Sequence, residues 1–350
     1  VITQAGRASK VVAEHYLADL YLTTGQNQKA KDMALKVINN PDYELITARY
    51  GVNKNAPGTV FTDMFLDGNS NRSQGNTEAL WVMQNEYNNV GGDFNIMRRW
   101  WVTRYYSLRA GGKSPIAVTK ENGGRGIGRF ALTKYAFNLY APGDDRGGDF
   151  AYRHYWIMNN PSSLPSGSNA NATCAAPGWT GPKLGDTVKL SLNCNEPVPN
   201  SAPAANWPNT RKWDWAPDDP SDAQNSSNFN DQVYLRLAET YLLLAEAQMK
   251  LGDAPGAAIT INALRNRAKA TPITAADINM NFILDERSRE LVTEEHRRYT
   301  LLRTGTWFTR TQAGNKYAGP KIALRDTLLP IPQSVIDANL SKPMPQNPGY

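Results

Sequence analysis

Aromatic rings and planar cations crowd one short stretch of this sequence, Arg98-Arg99-Trp100-Trp101, followed closely by Arg104-Tyr105-Tyr106. Indole and phenol rings offer apolar faces, and guanidinium groups offer forked donors. Such a stretch therefore suits a ligand that carries both apolar faces and hydroxyl or carboxylate groups. Sugars are of that kind, and so are peptides. Of the nine Trp, eight (Trp81, Trp100, Trp101, Trp156, Trp179, Trp207, Trp213, Trp215) lie between residues 47 and 230, and only Trp307 lies beyond. The candidate ligand-binding residues are Tyr87, Arg98, Trp100, Trp101 and Tyr105, with Trp156 and Trp179 as further platforms. In an adjacent pair of rings, one is equally suited to filling the core beneath the loops.

Catalysis lacks its minimal parts. A glycoside hydrolase needs two carboxylates facing each other at about 5 to 10 Å. The adjacent pairs Asp144-Asp145, Asp218-Asp219 and Glu294-Glu295 do not supply that, because neighbouring side chains diverge on a strand or helix. No G-x-S-x-G, H-E-x-x-H or G-x-x-x-x-G-K-[ST] occurs. No catalytic residue is assigned, and the chain reads as a binder, not an enzyme. The glycine run Gly123-Gly124-Arg125-Gly126-Ile127-Gly128 lacks the strand-then-helix setting of a phosphate cradle and reads as a flexible turn. His15, His154 and His296 are scattered and neither Cys174 nor Cys194 sits in a C-x-x-C pair, so neither a metal site nor a cofactor is expected. Two cysteines 20 positions apart in a segment rich in Gly, Asn, Ser and Pro read as one disulfide, Cys174 to Cys194. Loop closure would then contribute about 3 kcal/mol in an oxidising compartment. Two free thiols in a cytosolic protein are the competing reading.

The elements that must position these residues come from periodicity. Residues 8–38 read as two amphipathic helices joined at Thr24-Gly25-Gln26, with Ala13, Tyr16, Leu17, Leu20 and Tyr21 on one and Ala30, Ala34, Val37 and Ile38 on the other. A second hairpin pairs a stripe of Ala238, Tyr241, Leu242, Ala245 and Met249 with one of Ala257, Ile261, Leu264 and Ala268. Its turn is Leu251-Gly252-Asp253, with Asp253 as N-cap and Pro255 in the first turn, where a missing N–H costs nothing. Small alanines facing across glycine turns resemble tetratricopeptide-type units. Nearly 190 residues separate the hairpins, so a large insertion lies between them. That region, 47–230, repeats Gly-Gly and reads as loops and short elements, with a short strand over Glu78–Met83. Thr274 to Asp277 reads as the capped start of a helix, and Leu284–Leu302 as a second, charged helix. Its charges suit either a solvated face or a buried Arg–Glu network. The prolines of Leu328–Tyr350 impose an extended tail. The fold class is thus mainly α. It divides into a hairpin (1–46), an irregular ligand-binding region (47–230), a second hairpin with charged helices (231–303) and the tail (304–350).

Composition narrows the rest. With 350 residues, 41% hydrophobic and 20% charged, the chain can bury a large core. Its apolar runs are far shorter than the roughly 20 residues a membrane span needs. Lys+Arg 38 against Asp+Glu 32 gives +6, with the signs interleaved, so nucleic acid is not expected as a partner.

Four segments resemble the SusD/RagB family of bacterial outer-membrane nutrient-binding lipoproteins. They are Gly6-Arg7-Ala8 with the first hairpin through Tyr43-Glu44-Leu45; Tyr234-Leu235-Arg236-Leu237-Ala238-Glu239-Thr240-Tyr241-Leu242 with Ala245-Glu246-Ala247; Glu286-Arg287-Ser288-Arg289-Glu290-Leu291 with Glu294, Arg297 and Leu301-Leu302-Arg303; and Leu329-Pro330-Ile331-Pro332-Gln333-Ser334 with Gln346-Asn347-Pro348-Gly349-Tyr350. Asp144-Asp145-Arg146 resembles the family's Asp-Arg element, whereas Thr293, Glu295 and Thr300 stand where the family usually has Phe, Gly and Asp. The segments follow the family's order, so one SusD-like domain over 1–350 is expected. The resemblance implies tetratricopeptide-like pairs packed against an irregular ligand-binding half. It also implies a surface protein of the outer membrane that holds a glycan for a SusC-like, TonB-dependent transporter; a peptide binder or a structural lid is the alternative. Family members begin with a lipidated Cys and a substantial part before the Gly-Arg-Ala element. The expectation is that this chain lacks that anchor and the first helices.

Overall fold

A computed structural model describes residues 6–92, 94–107, 114–160, 187–189, 207–214, 222–224 and 228–350. The chain divides into two compact units, Val1–Glu295 and His296–Tyr350.

The first unit is built on two helical hairpins. Helices α1 (Lys10–Thr23) and α2 (Asn27–Ile38) are joined through Gly25, whose φ of +74° is the left-handed conformation that ends α1. Gln26 N–H then donates to Tyr21 O at 2.8 Å. Far along the chain, α6 (Leu237–Lys250) and α7 (Ala254–Arg267) repeat the design, with Gly252 at φ +81° and the Asp253 side chain accepting from Gly256 N–H at 2.9 Å. Ala18, Ala30, Ala34 and Ala247 share one buried cluster with Leu22, Leu243 and Leu244, so α2 lies directly against α6. Small side chains at the seam let the backbones approach closely. The intervening residues therefore loop out from a continuous stack of helices.

Strand β1 (Ala79–Met83) pairs antiparallel with β6 (Gln232–Arg236), in register Val82 with Val233. This brings the start of the loop-rich region to the base of α6. Among the described residues that region holds only short elements. They are α3 (Val60–Asp63), α4 (Met97–Trp101), α5 (Lys134–Phe137), 3₁₀ turns at Arg72–Gln74 and Tyr105–Ser107, and the two-stranded pairs β2 (Tyr152–Arg153) with β5 (Asn209–Thr210) and β3 (Tyr155–Ile157) with β4 (Thr187–Lys189). A second core of Ile46, Phe61, Leu132, Phe137, Tyr152 and Trp207 gives it rigidity that repetitive backbone bonding does not. Trp207 Nε1–H closes the cluster by donating to Leu132 O at 2.9 Å.

The charged helix departs from expectation in two ways. It is broken: α8 (Met280–Leu291) ends before Thr293, which has φ +71°, and α9 (Arg297–Arg303) begins the second unit. Residues 275–277 form a single 3₁₀ turn, and Asn279 caps α8 instead. The face of α8 is also buried. Glu290 lies among Arg146, Arg236 and Arg267; Glu286 binds Arg146 and Arg265 at 2.8 and 2.7 Å; Glu78, before β1, binds Arg236 and Arg267. Asp144 holds the other edge of Arg146 at 2.8 Å. Beyond the end of α8, Glu294 turns inward to Lys212 and Arg236, and Glu295 to Arg287, which is the reason the helix cannot run on to Leu302. The break separates these inward carboxylates from the α8 axis.

In the second unit, α9, α10 (Trp307–Gly314) and the six-residue α11 (Gln333–Ala338) are linked by irregular backbone. The Arg298 guanidinium lies 4.3 Å from the Trp307 ring centroid. Among the described residues no helix is long and apolar enough to cross a membrane.

Candidate ligand-binding surface

Helix α4 is five residues long and polar or aromatic at every position after Met97. Its stability comes from the glycine run, which is not a flexible turn. Ile127 N–H donates to Arg99 O and Gly128 N–H to Val102 O, while Arg129 and Phe130 N–H groups both donate to Trp100 O, at 2.8 to 3.0 Å. From the other side Arg98 Nη1, Tyr105 OH and Tyr106 OH donate to the carbonyls of Gly123, Gly124 and Gly126 at 2.7, 2.8 and 2.8 Å. A Cβ on Gly126 would lie 2.0 Å from Val102 O, so only glycine permits this approach.

Three of the seven sequence-chosen residues are thereby taken into the interior. Arg98 and Tyr105 are fully buried and Trp156 is 1% exposed. Tyr105 and Trp156 stack on each other with centroids 4.1 Å apart, and each uses the face a ligand would need. Burial pushes the Tyr105 hydroxyl pKa well up, which keeps it a neutral donor to Gly124 O. These residues are corrected from platforms to the floor beneath the surface. Burial could not be told from exposure by residue type.

Tyr87 is half exposed, and Trp100 and Trp101 are partly buried. Phe130, 44% exposed, packs between the two indoles, with centroids 5.5 Å from Trp100 and 5.4 Å from Trp101. Trp101 is also packed against the second core, whereas Trp100 is not among its neighbours. The Trp101 indole N–H and Arg99 Nε are buried and find no hydrogen-bond partner among the described residues, so they do not face a ligand. Arg129 is exposed next to Phe130. The structure thus brings together a strip of three rings, with the exposed Arg129 adjacent to the middle ring in the chain. Tyr87 forms a second, smaller aromatic edge, half exposed and set edge-on to Phe229 at 5.0 Å. The backbone bridge between Asn95 and Asn228 places Phe229 next to the segment that leads into α4. Phe130 and Phe229 escaped the sequence reading because neither stands in an aromatic run. Trp179, Cys174 and Cys194 lie outside the described residues.

Asp144, Glu286, Glu290 and Glu294 are all committed to buried Arg and Lys. Among the described residues no group of His, Cys, Asp and Glu is arranged to hold a metal ion.

Comparison with known proteins places this arrangement. The SusD family model matches residues 57–350. Two SusD-like proteins of Formosa agariphila, P25 and P2, are 39% identical over 93 residues and 30% identical over 139 residues, covering 24% and 36% of this chain and 18% and 27% of their own. Among solved structures, surface glycan-binding protein A from Bacteroides thetaiotaomicron, in complex with laminarihexaose, superposes with a TM-score of 0.64 at 18% identity over 99% of this chain and 65% of its own. A laminarin-binding SusD-like protein gives 0.58 at 20% identity, over 99% of this chain and 63% of its own. The chain thus spans less than two thirds of the length of these structures and less than a third of the curated relatives. The matched region includes the ring strip, the second hairpin, the buried charge network and the tail, and on that ground the chain belongs to the SusD family.

Proposed function

We propose that this chain is a surface glycan-binding protein, which captures oligosaccharide at the outer face of the outer membrane for a TonB-dependent, SusC-like transporter. The observation that carries the reading is the strip of Trp100, Phe130 and Trp101, packed ring against ring, with Phe130 and the neighbouring Arg129 exposed. Pyranose rings stack their C–H faces on such rings, while their hydroxyls accept from indole and guanidinium N–H groups. The two structural relatives described as holding laminarihexaose or binding laminarin support a glycan ligand for this fold. Binding without turnover fits the commitment of the interior carboxylates to ion pairs.

Titration calorimetry against a panel of oligosaccharides that includes laminarihexaose, beside a peptide digest, tests the proposal. At least one glycan binds, and Trp100→Ala weakens it by on the order of 1 to 3 kcal/mol without lowering the melting midpoint. Trp101→Ala weakens binding too, and also costs roughly 2 to 3 kcal/mol of folding stability because its inner face is packed. Peptide binding with no glycan bound would favour the peptide-binding alternative. Parent-like glycan affinity in both variants would move the site elsewhere.

A further inference from the structure

The net charge of the molecule is not spread along it. Residues 296–350 hold eight Lys and Arg against Asp326 and Asp337, a net of +6, and the first 295 residues balance at 30 against 30. The second compact unit therefore carries the entire excess, contrary to the interleaving expected from the sequence read end to end. The same unit exposes large aliphatic side chains: Leu324 at 67%, Leu329 at 69% and Leu340 at 94%, with Leu328 and Val335 about half exposed.

These residues are not loose ends. The last residues fold back on 325–331: Arg325 Nη1 donates to Gly349 O at 3.0 Å, Tyr350 OH to Leu328 O at 3.0 Å, and Asn347 Nδ2 to Leu329 O at 2.7 Å. Gln346 closes a two-way pair with the Ile331 N–H and C=O at 2.7 and 2.8 Å. The backbone ridge 324–331 is thereby held against the tail; Leu324, Leu328 and Leu329 are exposed along it, with Lys321 and Arg325 exposed in the same stretch and Leu340 and Lys342 exposed on the returning tail.

We propose that this ridge of the C-terminal unit docks a second protein whose surface presents an apolar patch ringed by carboxylates. Charge complementarity selects an acidic partner, and the aliphatic side chains require that the partner also bury apolar area. An anionic polysaccharide would meet the charge but leave the leucines wet, since they offer no ring face for a sugar. A lipid surface fits less well, because the ridge is irregular backbone interrupted only by 3₁₀ turns and α11, and its peptide groups would go unpaired in hydrocarbon. The proposal concerns a different surface from the ring strip, so each can fail without the other.

The test uses the full chain and a fluorescein-labelled peptide that alternates Glu and Asp with Leu and Phe, read by polarisation in about 20 mM salt, where exposed charges are little screened. The parent binds; Lys321→Glu/Lys342→Glu binds about tenfold more weakly, and Leu329→Ser/Leu340→Ser is weakened by a similar factor. Both variants keep the parent's melting midpoint, since the four side chains are exposed. Phosphatidylglycerol vesicles and polygalacturonate, run in parallel, bind more weakly than the peptide. Failure of the parent to bind, parent-like binding by both variants, or tighter binding of vesicles or polygalacturonate overturns the proposal. So does a dimer in sedimentation that the variants dissolve.

Discussion

Glu290 accepts from Arg146, Arg236 and Arg267, groups delivered by the loop-rich half, β6 and α7, so one carboxylate binds three parts of the first unit together. Burial alone would raise its pKa, but Arg267, Arg236, Arg146 and Lys212 outweigh burial and hold it well below the ordinary 4.5. Glu290→Gln leaves buried guanidinium groups uncompensated and is expected to cost about 3 to 5 kcal/mol by chemical denaturation. The sign of its pH dependence follows from the depressed pKa. The unfolded chain binds the proton more readily, so this stabilisation is present above about pH 4.5 and is lost as the solution is acidified below it. His15 acts in the same direction for a different reason. It is buried between α1 and α6, with Nδ1 2.8 Å from Thr240 Oγ1, and burial lowers its pKa from 6.5 to about 3, only partly offset by Asp19 and reinforced by Arg287; Glu239 lies 3.9 Å from Nε2. Between pH 6.5 and 3 the unfolded state takes up the proton and the folded state does not, so stability falls with pH across that window by up to on the order of 4 kcal/mol. Melting midpoints of His15→Asn against the parent check this: the variant loses the part of the slope between pH 6.5 and 4.5 that precedes carboxylate titration.

Among elements, α4 depends on a backbone approach that only glycine allows. Gly126→Ala must push the 123–128 segment off Val102 O. The expected result is a loss of about 1 to 3 kcal/mol in stability together with weaker glycan binding, because Trp100 O anchors the backbone that carries Phe130. Calorimetry of unfolding and of binding on the same sample reads both. Unchanged binding would mean that Phe130 does not depend on this anchoring. The Cys174–Cys194 bridge remains a proposal at this scale, and intact mass after alkylation with and without reductant decides it. Both helical hairpins and their glycine turns were legible in the sequence, because these are local signals, but the inward face of α1 was not: Val11, Val12, His15, Ala18 and Leu22 are buried, whereas Ala13, Tyr16, Leu17 and Leu20 of the expected stripe are exposed. The break between α8 and α9 was not legible, because Glu294 leaves the helix to meet Lys212 and Arg236, partners distant in sequence, while Glu295 turns back to Arg287 on α8.

For the molecule as a whole, the stacking of α2 on α6 makes one scaffold of segments nearly 200 residues apart. The loop-rich insertion is clamped to it by β1 with β6 and by the network around Glu78 and Glu290. A rigid scaffold under irregular loops suits reversible capture. Oligosaccharide bound by the purified chain is accordingly expected to be recovered intact. Appearance of shorter products above a buffer control, abolished by replacing a single carboxylate, would make it a hydrolase.

The fold class, the two hairpins, a strand expected over Glu78–Met83 and found over Ala79–Met83, and the crowding of aromatic residues before α6 were readable along the chain, because periodicity, turn residues and composition are properties of neighbours in sequence. Only the tertiary structure decided which rings face out. Tyr105 and Trp156 have the same chemistry as Trp100 and Trp101, yet they stack on one another in the interior. It also decided that the charges of α8 form a buried network instead of a solvated face, since each of those carboxylates finds its arginine on an element that the sequence places far away. Burial is set by what packs across from a residue, and that partner is fixed by the fold.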